Sequence, residues 1–177
     1  MLRRILDLIK YLFLSPSKYA KSIGVQVGVG CYISTKKFSS EPYLIKIGSN
    51  VRISRGVSFY THGGIWPFRK VYPELDYFGK IVIGNNCYIG EDVKIMPGVT
   101  VEDNCIVGAG TILTKSVIQG TVVAGNPAKY VGETKEFLEK IKKYNCKTKG
   151  LSYFKKRQLL LTFDDNSFVK KDWILRK

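Results

Sequence analysis

Residues 83–118, cut every six, read IGNNCY, IGEDVK, IMPGVT, VEDNCI, VGAGTI and LTKSVI. The first position is Ile83, Ile89, Ile95, Val101, Val107 and Leu113, always aliphatic. The fifth is Cys87, Val93, Val99, Cys105, Thr111 and Val117, always small or β-branched. Gly follows the aliphatic residue at Gly84, Gly90 and Gly108. A period of six fits neither a strand nor a helix, whose periods are 2 and 3.6. A fixed short repeat is the mark of a solenoid, in which each unit stacks on its neighbours. Each hexad is expected to be a short strand and a tight corner. Its aliphatic residue points into a narrow core, and Gly or Asn takes the positive-φ corner. The spacing therefore predicts an all-β solenoid of the β-helix type.

Outward from this stretch the period comes and goes. Upstream, hexads are expected to begin at Ile23-Gly24 and Val29-Gly30, and again at Ile47, Ile53 and Phe59. Residues 35–46 break the period and read as irregular coil. The pattern fails again from Ile65 to about Lys80, a segment rich in aromatic residues. A long loop leaving a regular scaffold is a favoured place for function. At the N-terminus, Leu2, Ile5, Leu6, Ile9, Leu12 and Phe13 fall at helical spacing, opposite Arg3, Arg4, Asp7 and Lys10. Such a helix docks on the solenoid or a neighbouring subunit, or else lies on a membrane surface. Ser15-Pro16 ends it. From Glu133 the character changes. Thr134 can cap a helix that carries Phe137, Leu138, Ile141 and Tyr144 and that Gly150 stops; a second helix is expected over 151–163. The expected organisation is an N-terminal helix in 1–22, the repeat domain in 23–132 with its extruded loop, and a basic, partly helical tail in 133–177.

Composition narrows the function. No run of about 18 apolar residues is present, so no membrane-spanning helix is expected. Asp7 and Lys10 interrupt the apolar N-terminus, and no small-residue cleavage site follows, so a cytoplasmic protein is expected, with the inner membrane face as a second setting. Four Cys without a CxxC or a Cys/His cluster give no disulfide framework and no zinc site. The formal charge of +15 suits a solvated basic surface or anionic ligands. No nucleic-acid motif accompanies it, so nucleic acid is not an expected partner.

His62 is the one histidine of the chain and stands in Tyr60-Thr61-His62-Gly63-Gly64, where the repeat gives way to the aromatic loop. A neutral imidazole can take a proton from a hydroxyl near neutral pH. A carboxylate commonly orients the other ring nitrogen, and Glu74 and Asp76 in the loop are the candidates. Trp66 and Arg69 could stack on and hydrogen-bond a sugar, or simply pack the loop.

The repeat, followed by GAGTILTKS (108–116) and VVAGNPAKYV (122–131), resembles the left-handed β-helix hexapeptide-repeat acyltransferases, most closely the sugar and polysaccharide O-acetyltransferases. The left hand of the helix is implied by this resemblance. So is a catalytic role for His62, with acetyl-CoA as acyl donor, a sugar or glycan as acceptor, and a homotrimer. The resemblance places Ala109, Thr114 and Lys115 along the pantetheine arm, Lys129 near the CoA phosphates, and Gly90-Glu91 where a backbone N–H faces the thioester carbonyl. Two departures stand out. Many relatives read His-Asp-Gly-Gly where this chain reads His62-Gly63-Gly64, and a small residue is usual where Glu91 stands. N-acetylation of an amino sugar, acetylation of an antibiotic or of serine, and a non-catalytic scaffold are the alternative readings.

Overall fold

The six-residue cut reappears as strands. In the computed structural model, which describes residues 2–173, thirteen short strands make three sheets. The first sheet orders β1 (Gln26–Val27), β3 (Ile45–Ile47), β6 (Ile81–Ile83) and β9 (Thr100–Val101). The second orders β2 (Tyr32–Ile33), β4 (Arg52–Ile53), β7 (Tyr88–Ile89), β10 (Ile106–Val107), β12 (Thr121–Ala124) and β13 (Lys129–Glu133). The third holds β5 (Ser58–Phe59), β8 (Lys94–Ile95) and β11 (Ile112–Leu113). All pairs are parallel except β12 with β13. Ile83 lies beside Val101, Ile89 beside Val107, and Ile95 beside Leu113, so three hexads carry the chain once around to the same sheet.

The alternation within each two-residue strand sets the core. Ile53, Ile83, Ile89, Ile95, Val101, Val107 and Leu113 are buried, as is every residue of the fifth column. Cys87 and Cys105 belong to that column and fill volume there. The side-chain hydrogen bond with Cys105, and burial after it, push the Cys87 thiol above its ordinary value. The positive-φ corner falls at the fourth hexad position, at Asn86, Asp92, Gly98, Asn104 and Gly110. The second-position glycines serve a different need. A Cβ on Gly90 would stand 2.6 Å from the Ala109 nitrogen of the next coil, closer than atoms can pack.

Several local expectations are revised. The early frame is Val27-Gly28 and Ile33: Val27 pairs with Ile47 and Ile33 with Ile53, while Val29 is 79% exposed. Ile23-Gly24, Val27-Gly28 and Val29-Gly30 are all aliphatic-Gly pairs, and only pairing with the next coil selects among them. The irregular segment ends at Leu44, since β3 begins at Ile45. In the last hexad Val117 pairs with Val101, sixteen residues away, so that coil is two residues short. The N-terminal helix α1 (Leu2–Phe13) is followed by an unforeseen second helix, α2 (Pro16–Ser22), with Pro16 in its first turn, where a missing N–H costs nothing. Ile5, Ile9, Leu12 and Phe13 of α1 remain exposed.

The chain divides into two compact units, Met1–Thr134 and Lys135–Lys177. The helix α3 (Thr134–Lys142) starts at the boundary, and the Thr134 hydroxyl donates to the Gly120 carbonyl at 2.9 Å. It ends at Lys142, eight residues before Gly150, which holds a separate positive-φ turn. The second helix, α4 (Tyr153–Leu161), is capped by Ser152, whose hydroxyl accepts from the Lys155 N–H. No helix among the described residues is long and apolar enough to cross a membrane.

Candidate active site

The bends between sheets stack in columns, and these columns sort the candidate residues. After β5 the chain runs Tyr60-Thr61-His62, after β8 Met96-Pro97-Gly98, and after β11 Thr114-Lys115-Ser116. The register of Phe59, Ile95 and Leu113 places these three bends one above another. His62 and Lys115 therefore share the edge between the third and first sheets, two coils or about 10 Å apart along the stack. Gly90-Glu91 and Gly108-Ala109-Gly110 belong to the opposite edge of the third sheet, where it meets the second. There the Gly110 N–H donates to the Glu91 carbonyl at 2.7 Å. Lys129 is exposed at the top of this edge, paired with Ala124 in the hairpin of β12 and β13. Within one chain the structure thus groups Gly90, Glu91, Ala109 and Lys129 on one edge. It groups His62, Thr114 and Lys115 on another.

His62 itself is held from below. Its Nδ1 lies 2.9 Å from Glu41 Oε2. The same oxygen accepts the Thr61 hydroxyl at 2.6 Å, and Ser39 Oγ approaches it at 3.4 Å while accepting from the Thr61 N–H. These contacts, the Thr61 hydroxyl first and His62 next, hold the Glu41 carboxyl below its ordinary pKa. An ionised carboxylate only accepts, so the proton of this pair sits on Nδ1 and the lone pair of the imidazole is left on Nε2.

The carboxylate beside His62 is therefore Glu41, and not Glu74 or Asp76. Those two are exposed in the extruded loop, where Asp76 Oδ1 accepts the N–H of Tyr77 at 3.1 Å. Glu41 comes from the irregular segment before β3, 21 residues upstream of His62. No periodicity or motif marks it. The one available signal was that a break in a solenoid must project from the coil. Here the insertion lies next to the coil position from which the second insertion departs.

The aromatic loop returns over the histidine. His62 and Phe78 form an antiparallel bridge, their rings meet edge to face at 6.2 Å, and the Gly79 N–H donates to the Thr61 carbonyl at 2.7 Å. A Cβ at Gly63 would stand 1.6 Å from Tyr77 Oη. The Tyr77 hydroxyl thus occupies the space a side chain at 63 would need, and would have to swing aside to admit one. Trp66 sits in a single 3₁₀ turn, Trp66–Phe68, and is 83% exposed. Arg69 donates to the Pro73 carbonyl at 2.9 Å, which ties the loop to itself. On the far edge Glu91 faces Arg55, with Oε1 and Nε 3.5 Å apart, so the unusual carboxylate is partnered within its own column.

Residues 80–115 match the family model described as bacterial transferase hexapeptide (six repeats). Protein CapG of Staphylococcus aureus is 46% identical over 160 residues, covering 88% of this chain and 92% of that protein. The galactoside O-acetyltransferase of Escherichia coli strain K12 is 33% identical over 123 residues, covering 67% of this chain and 58% of that enzyme. A solved galactoside acetyltransferase in complex with coenzyme A superposes with a TM-score of 0.59 at 26% identity, over 78% of this chain and 82% of that one. The chain belongs to the hexapeptide-repeat acyltransferases.

Proposed function

We propose that this chain is an acetyl-CoA-dependent O-acetyltransferase acting on a sugar hydroxyl, in the modification of a surface polysaccharide or related glycan, with His62 as general base. The observation that carries the reading is the 2.9 Å contact between His62 Nδ1 and the ionised Glu41. It fixes the tautomer and leaves Nε2 as the acceptor. Nε2 removes the proton of the sugar hydroxyl while that oxygen attacks the thioester carbon. The carbonyl becomes an oxyanion, and a backbone N–H at the bend of Gly90 and Glu91 supports it. Collapse breaks the C–S bond, and the imidazolium returns its proton to the departing CoA thiolate. No acyl-enzyme is needed, and every proton taken is given back.

The three sheets, parallel except for the β12–β13 hairpin, fit a left-handed β-helix, as the sequence resemblance implies, and the placement of the two site edges supports a homotrimer. A stack of two-residue strands offers flat faces and no deep pocket. His62 stands on one edge of the third sheet, while Gly90, Ala109 and Lys129 stand on the other. Packing the His62 edge of one subunit against the Ala109 edge of the next brings both halves together three times, by cyclic symmetry. The acyl-CoA arm then runs along the Gly90–Ala109 column toward Lys129, whose ammonium meets the phosphates as a point charge.

The test is release of CoA thiol from acetyl-CoA in the presence of sugars, amino sugars and serine, with the product bond identified. An alkali-labile ester on a sugar is the expected product. An amide product, or transfer to serine alone, would replace the acceptor class while keeping the enzyme. Absence of any acetyl-CoA binding or turnover would overturn the reading.

A further inference from the structure

The unit formed by residues 135–177 carries thirteen Lys and Arg against five Asp and Glu, so this quarter of the chain holds more than half of the net charge of +15. None of its described residues is buried. Its helices are nonetheless rich in large apolar side chains. Tyr153 is 85% exposed and Trp173 90%, and Phe154 and Leu161 are exposed as well. A groove of about 440 Å³ is lined by Leu160, Leu161, Phe168 and Tyr153, with Lys156 and Arg157 beside them. The unit therefore holds apolar groups with no interior to receive them, interleaved with cations. An exposed apolar patch of this kind marks a surface that docks on something else.

The charge selects the partner. A second copy of this unit would set one strongly basic surface against another. An anionic partner with an apolar interior satisfies both properties. Lysine and arginine stems can lie along the apolar layer while their heads reach phosphate, and Trp and Tyr favour the boundary between the two. Nucleic acid would meet the charge and the aromatic rings, but it offers nothing to the aliphatic groove of Leu160 and Leu161. We infer that residues 135–177 form a docking unit for an anionic phospholipid surface, with Lys156 and Arg157 on the headgroups and Tyr153 and Leu161 entering the interface. The unit would hold the transferase at the membrane, independently of the transfer chemistry.

The experiment is co-sedimentation of the full chain with vesicles of phosphatidylcholine alone or mixed with phosphatidylglycerol. The expected result is binding to the mixed vesicles, weakened by salt, and little binding to phosphatidylcholine. Reversing two charges in K156E/R157E should weaken it by at least about thirtyfold. The second variant, Y153S/L161S, should weaken it at least tenfold while leaving the salt dependence in place. Both sets of side chains are exposed, and an unchanged circular dichroism melt would show that the unit still folds. Failure to bind the mixed vesicles would overturn the inference. So would equal binding of the parent and both variants, which would move the contact to α1, or displacement from the vesicles by stoichiometric single-stranded RNA. Thiol release from acetyl-CoA with a soluble acceptor should be the same for parent and variants, which keeps this result separate from the catalytic reading.

Discussion

At the scale of single residues, the proposed chemistry turns on the contact between Glu41 and His62. Glu41→Gln removes the charge but keeps the shape, and its amide can turn an N–H toward Nδ1. That favours the wrong tautomer, so kcat should fall by about 10² or more, with KM for acetyl-CoA unchanged. Steady-state kinetics with both substrates checks this; a change confined to KM would assign Glu41 to binding. The same residue predicts a stability trend. Its folded pKa is depressed, so its contribution is present above the unfolded value and is lost as pH falls through the folded one. Thermal melts of parent and Glu41→Gln should therefore converge as pH drops below the ordinary carboxylate range and separate above it. Gly63→Ala tests the loop. The new methyl group needs the space of the Tyr77 hydroxyl. The Tyr77 ring must swing aside, and KM for the acceptor should rise several-fold while affinity for CoA holds. Calorimetry with CoA and acceptor kinetics separate the two effects.

At the scale of elements, the sequence repeat was legible where each hexad faces the same neighbours. Ile83 through Leu113 could be read by position because every coil stacks on another of equal length. It was not legible at the early end, where three aliphatic-Gly pairs compete and long-range pairing alone chooses Val27. Nor was it legible for Glu41, because an insertion is specified by where it lands and not by any period. The structure instead adds a rule the spacing only hinted at: second-position glycines set how closely coils approach. At Gly48, away from the candidate site, a Cβ would stand 2.7 Å from the carbonyl group of Gly84. Gly48→Ala should thus force two coils apart and lower the melting temperature, although the backbone φ there is ordinary. In the same stack, Ile89→Ala removes a fully buried side chain and should cost roughly 2–5 kcal/mol. Denaturant titration measures both. A Gly48→Ala protein as stable as the parent would show that the coils can separate without penalty.

At the scale of the whole molecule, the division of the candidate site between two edges of the third sheet is the consequential feature. It also sets the electrostatics: Lys129 marks the end of the column proposed for the CoA phosphates. Affinity for CoA should weaken with salt and with Lys129→Ala, since screening and charge removal act on the same contact. Indifference to both would place the phosphates elsewhere. The central claim is that His62 of one subunit works on acetyl-CoA held by the Ala109 and Lys129 edge of the next. The most direct measurement co-expresses His62→Ala with the double variant A109E/K129E, isolates mixed trimers by two affinity tags, and records thiol release. Each parent variant alone should be nearly inactive, the first by a factor of roughly 10²–10⁴. Every mixed trimer has one of its three sites with both edges intact, so the isolated mixed preparation should recover about a third of the activity of the unmodified protein. Verified mixed trimers that stay as inactive as either variant would contradict the account.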